Sequence, residues 1–101
     1  MVSRNIDVPI EKIAEFCRKW KVQRLSLFGS VLREDFGPQS DVDVLVSFQP
    51  DSTWDLLDLV DMRDELMTLF GREVDLVEEE GLRNPFRRAN ILSTRQVIYA
   101  A

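Results

Sequence analysis

Along this chain the apolar positions change period several times. From Pro9 onward they recur as Ile10, Ile13, Phe16, Cys17 and Trp20, a helical spacing with proline suited to the first turn, which predicts a helix near residues 8–20. Arg24-Leu25-Ser26-Leu27-Phe28 reads instead as a buried strand that ends at Gly29, followed by a short helix that must stop before Gly37-Pro38. Val42, Val44 and Val46 alternate with other residues over about 42–48, the period of a second strand. Gln49-Pro50-Asp51-Ser52-Thr53 is a turn whose Ser52 or Thr53 is expected to cap the longest helix, about 54–70. That helix carries Leu56, Leu57, Leu59, Val60, Leu66, Leu69 and Phe70, and Gly71 ends it. A third strand covers about 73–78, and the polar run Glu78-Glu79-Glu80-Gly81 leads to a last helix capped by Asn84 with Pro85 at its first position. Val97-Ile98-Tyr99 forms a short final strand. Strands joined through helices predict an α/β (α+β) fold, a small mixed β-sheet flanked by helices.

The candidate chemistry lies around the first two strands. Ten residues, 31–40, separate Gly29-Ser30 from Asp41-Val42-Asp43. A glycine at the strand's end lets the backbone approach a ligand closely, and Ser30 is expected to cap the next helix, whose unpaired N–H groups would favour phosphate oxygens. Asp41 and Asp43 share one strand face with Cα atoms about 7 Å apart, while Val42, Val44 and Val46 take the other. Asp75, in Arg72-Glu73-Val74-Asp75-Leu76-Val77, joins them if the two strands are neighbours. Three clustered carboxylates repel unless a cation neutralises them, and all-oxygen ligation in a chain without histidine selects Mg²⁺ or Mn²⁺ over zinc.

On these residues the chain resembles the minimal nucleotidyltransferases of the DNA polymerase β superfamily, in particular the MNT (MntA-like) antitoxins of prokaryotic HEPN/MNT pairs. Gly29, Ser30, Asp41 and Asp43 match that family's Gly-Ser, ten residues, Asp-x-Asp signature, and Val74-Asp75-Leu76-Val77 matches its third-carboxylate strand. Family members often follow Gly-Ser-x with Ala-Arg-Gly, where this chain has Leu32-Arg33-Glu34, so Arg33 keeps the cationic position and Glu34 replaces a glycine. The resemblance implies a polymerase β-like nucleotidyltransferase fold and a protein adenylyltransferase that uses ATP and Mg²⁺ to modify a tyrosine of a HEPN-type RNase toxin. It implies Asp41, Asp43 and Asp75 as metal-binding and catalytic residues, with Gly29, Ser30 and Arg33 at the triphosphate. A carboxylate base suits a chain with no histidine.

Size and charge narrow the partners. With 101 residues, 45% of them hydrophobic, the chain is read as one domain, 1–101, that must borrow an acceptor surface from a partner, and the resemblance implies that this partner is a HEPN-type toxin in a hetero-oligomer. A net charge of −5 repels nucleic acid, and no direct nucleic acid binding is expected. No apolar run approaches membrane-spanning length and the N-terminus lacks a signal pattern, so a cytoplasmic protein is expected. Two rival functions stay open, transfer to a small hydroxylated molecule of the aminoglycoside type and a non-catalytic antitoxin that acts by binding. Cys17, Trp20 and Trp54 are read as core or half-buried, and Arg83, Arg87 and Arg88 as solvated surface. Asp55, Asp58, Asp61 and Glu65 form an acidic outer face on the long helix, with a basic partner as the sharper alternative.

Overall fold

Each period change in the sequence becomes a new element in the computed structural model, which describes residues 6–37 and 39–101. The order is α1 (Ile10–Lys19), β1 (Val22–Phe28), a 3₁₀ turn (Gly29–Leu32), β2 (Val42–Phe48), α2 (Leu56–Phe70), β3 (Val74–Glu78), a second 3₁₀ turn (Glu79–Gly81), α3 (Pro85–Thr94) and β4 (Gln96–Ala100). The strands form one sheet in the order β3-β2-β1-β4. β1 pairs antiparallel with β2 and β4, whereas β2 and β3 are parallel. Parallel neighbours need a long crossover, and the 15-residue α2 supplies it. The short helix expected after Gly29 is a single 3₁₀ turn that ends at Leu32, well before Gly37.

The two faces of β2 are buried differently. Val42, Val44 and Val46 enter the main core with Ile13, Phe16 and Cys17 of α1 and Met62, Leu66 and Phe70 of α2. The reverse face holds a smaller cluster of Phe28, Leu45, Leu82 and Ile91 under α3. Cys17 is fully buried, and that burial pushes its thiol up to about 12, as expected of a core residue. Trp20 and Trp54 are half-buried and meet edge to face at 5.0 Å, with the Trp54 indole donating to the Trp20 carbonyl.

α2 starts later than the turn residues suggest. Asp55 caps it, accepting from the Asp58 N–H at 2.9 Å, while the Asp58 carboxylate accepts from the Asp55 N–H. Ser52 instead closes the preceding turn by donating to the Gln49 carbonyl at 2.7 Å. Gly71 ends the helix in the left-handed region with φ 67°. The acidic face therefore divides its work, since Asp55 and Asp58 make the cap and Glu65 accepts from Lys19 and the Trp20 indole. The arginines divide too. Arg83 and Arg87 are exposed, but Arg88 donates to the Glu79 carbonyl at 2.7 Å and Arg95 pairs with the Glu79 carboxylate at 3.1 Å, tying α3 and β4 to the end of β3. No helix among the described residues is long and apolar enough to cross a membrane.

Candidate active site

Strand order decides whether the three aspartates meet. Asp43 pairs with Phe28 on one side and with Asp75 on the other, so β2 carries its carboxylate between the Gly29 turn and β3. In a parallel pair, residues in register point to the same face, and Asp43 and Asp75 share the face that bears Leu45 and Val77. Asp41 lies just before β2, exposed to solvent like Asp75, while Asp43 is half-buried.

Gly29 is glycine for a reason the sequence only half reveals. Its φ is +72°, and a Cβ there would stand 2.3 Å from Asp43 Oδ2. The space beside it is thus taken by the carboxylate of the neighbouring strand. Ser30 lies inside the 3₁₀ turn, whose cap position is Phe28, so it does not cap a helix as expected. Its backbone N–H is hydrogen-bonded to the Asp43 carboxylate, and its Oγ donates to the Asp41 carbonyl at 3.3 Å. Gly29 and Ser30 therefore position the aspartates directly. Arg33 is exposed, with its Nε 3.3 Å from Asp35 Oδ1, and its charge reaches Asp43.

Asp43 holds its proton above the ordinary carboxylate range. Burial is the main cause, and the charge of Asp75 and then that of Asp41 act in the same direction, against the Ser30 hydrogen bond and Arg33. This is a local excess of negative charge, which a cation would relieve. Among the described residues no three carboxylates are already closed around one point. The oxygen donors fit a hard cation such as Mg²⁺, which keeps several waters and needs only one or two protein carboxylates beside a phosphate.

A Nucleotidyltransferase domain model matches residues 10–98. The chain belongs to this family. Thermococcus cleftensis has a relative named protein adenylyltransferase MntA, 31% identical over 85 residues, 84% of this chain and 81% of that one. The fold is also that of a chain in a crystal structure of a toxin-antitoxin with AMP-PNP, with a TM-score of 0.72 at 21% identity over 92% of this chain and 74% of that one. A complex of a tri-AMPylated Shewanella oneidensis HEPN toxin with MNT antitoxin gives a TM-score of 0.64 at 21% identity, over 91% of this chain and 70% of that one. This nucleotidyltransferase accordingly has the mixed sheet that its sequence predicts.

One residue at the site escapes the sequence reading. Arg72, just ahead of β3, donates through Nη2 to the carbonyls of Gly37 and Ser40, the latter at 3.0 Å, and its guanidinium lies 4.5 Å from the centre of the Phe36 ring. It ties the loop that enters Asp41 to the strand that carries Asp75. The signal was available in principle, because parallel neighbours start side by side and the residue before one strand faces the residue before the other. Arg72→Met keeps most of the stem and loses both hydrogen bonds, so thermal unfolding should show a loss on the order of 1.5–3 kcal/mol. Mg·ATP affinity by calorimetry should fall roughly tenfold, because an ordered ligand loop is lost. Arg72→Lys should recover only part of both, since an ammonium cannot reproduce the planar fork. Unchanged nucleotide affinity in Arg72→Met would show that the clamp serves folding alone.

Proposed function

We propose that the protein is an antitoxin that transfers AMP from ATP to a tyrosine hydroxyl of a HEPN-type RNase toxin and thereby silences it. The observation that carries this reading is the register of Asp43 with Asp75 beside the Gly29-Ser30 turn. A protein adenylyltransferase among its relatives and toxin-antitoxin complexes among its structural neighbours support it.

The residues suit an in-line displacement. Gly29 and Ser30 border the place of the triphosphate, with Arg33 adding positive charge toward it. The tyrosine oxygen forms a bond to the α-phosphorus, the bond from that phosphorus to the bridging oxygen breaks, and pyrophosphate departs with the electron pair. Asp75, the more exposed partner of the Asp43 pair, takes the hydroxyl proton. Asp41, Asp43 and Asp75 would hold Mg²⁺, which supplies charge to offset the phosphates and the departing pyrophosphate. We place the protein in the cytoplasm as one small domain in a hetero-oligomer with its toxin, without direct nucleic acid binding, in keeping with its net charge of −5.

The test is to incubate the purified protein with Mg·ATP and the HEPN-type protein encoded beside it. Intact-mass spectrometry should show the partner gaining AMP units on tyrosine as its RNase activity falls in parallel. Equal inhibition by an Asp41→Asn/Asp43→Asn variant without a mass change would make the protein a binding antitoxin. An adduct found only on an aminoglycoside-type compound would make it a small-molecule enzyme.

A further inference from the structure

α2 buries one side and leaves an apolar stripe on the other. Leu56 and Leu57 are each 74% exposed and Val60 is 46% exposed, all within the first two turns. Beside them runs a groove of about 420 Å³ between α2 and β3, lined by Leu56, Leu59, Val60, Arg63, Leu76 and Glu78. Three neighbouring large aliphatic side chains in water, next to an apolar groove, form a contiguous patch of the kind that marks a protein interface.

The surroundings state what covers it. Asp61 and Asp64 are exposed on the same outer side of the helix, and Glu78 stands in the groove. The cation at hand, Arg63, already donates to the Val74 carbonyl at 2.8 Å and to Glu73 at 3.2 Å, and lies 3.9 Å from Asp64. The rim is therefore acidic, and it favours a partner with lysine or arginine beside its apolar residues. Arg63 also decides the form of that partner. The Glu73 carbonyl accepts from Val42, so the Val74 carbonyl points to the outer edge of β3, where an added strand would need it. Arg63 occupies that acceptor and so disfavours strand addition there, while the α2 stripe suits helix packing as the mode of docking.

We infer that the exposed side of α2, with the groove beside β3, is the seat for an amphipathic helix of the acceptor protein, aliphatic on one face and flanked by Lys or Arg. The inference rests on the proposed function for the identity of that protein. A second copy of this chain fits less well. Among the described residues its most exposed basic apolar spot, Phe86 between the exposed Arg83 and Arg87, would meet this face head to tail, an arrangement that forms no closed twofold dimer and opposes the net charge of −5.

The exposed stripe at the start of α2 is distant from the chemistry, although Leu76 at the far end of the groove adjoins Asp75. α2 begins beyond the C-terminal end of β2, and the five residues from Asp43 to Phe48 span roughly 17 Å. Docking and transfer should therefore separate by mutation. Leu57→Asp and Asp61→Lys alter exposed side chains that make neither the helix cap nor the core, and thermal melts should confirm that both variants fold.

Calorimetry with the purified HEPN-type partner at low and high salt, paired with Mg·ATP titration and intact-mass assay, tests the seat. Leu57→Asp should weaken partner binding tenfold or more, and Asp61→Lys should weaken it and flatten its salt dependence, with Mg·ATP affinity unchanged in both. Variants that bind and modify the partner like the wild type would overturn the seat and leave the proposed function standing. A wild type that neither binds nor modifies the HEPN-type protein would overturn the proposed function, and the seat for that protein with it. Self-association of the wild type in sedimentation, abolished by Leu57→Asp, would assign the face to a second copy instead.

Discussion

Asp43→Asn should reduce AMP transfer by at least about 100-fold while leaving the metal-free protein no less stable than the wild type. The loss of activity follows from its place, since Asp43 is the aspartate that pairs with Asp75 and receives the Ser30 N–H. The stability follows from its charge. A carboxyl that holds its proton more tightly in the folded chain favours folding while protonated, and this contribution is lost as pH rises from the ordinary carboxylate value through the raised one. At neutral pH the ionised group is a net cost, and asparagine removes the charge while keeping the shape. Thermal melts in EDTA should thus place Asp43→Asn at or above the wild type at pH 7, with the difference shrinking as pH falls through the carboxylate range. A variant that melts well below the wild type yet still transfers AMP would mean that Asp43 serves the fold rather than the reaction.

Gly29→Ala should damage both fold and activity. The left-handed φ of +72° costs an L-residue about 1–2 kcal/mol, and the new methyl would meet Asp43 Oδ2 at 2.3 Å, so the carboxylate must swing away. Its Ser30 hydrogen bond goes with it, and a melting temperature lower by roughly 5–15 °C is expected. Transfer should fall as far as in Asp43→Asn, because either change takes the Asp43 carboxylate charge from its place. The double variant Gly29→Ala/Asp43→Ala separates the two costs. With the carboxylate gone only the backbone strain is left, so the pair should melt higher than Gly29→Ala alone, a clear departure from additivity. A Gly29→Ala protein that melts and reacts like the wild type would show that the turn yields without moving Asp43.

These two residues also show what the sequence can specify by itself. Periodicity is local, so the order of helices and strands, the Gly71 stop, the Asn84-Pro85 start and the facing of Val42, Val44 and Val46 away from Asp43 all follow from spacing along the chain. The Gly-Ser and Asp-x-Asp spacing also carried the resemblance to the family, because that motif lies within one local stretch, residues 29–43. Short-range competition was harder to read. Ser52, Thr53 and Asp55 all suit a cap, and Asp55 took it because Asp58 could reciprocate.

Contacts between distant segments were beyond the sequence. Nothing near residue 75 states that β3 lies beside β2 and not at the other edge, yet that choice alone brings Asp75 into register with Asp43. The same pairing sets Arg72 against the loop before Asp41, and places the Gly29 turn against the Asp43 carboxylate. The apolar residues of α2 likewise looked equivalent until packing divided them into a buried side and the exposed Leu56, Leu57 and Val60. The sequence determined which elements form and which side chains are candidates for the chemistry, since periodicity and motif spacing are local. Only the tertiary structure decided which carboxylates adjoin and which leucines remain in water, since strand order and helix rotation are fixed by burying the whole core at once.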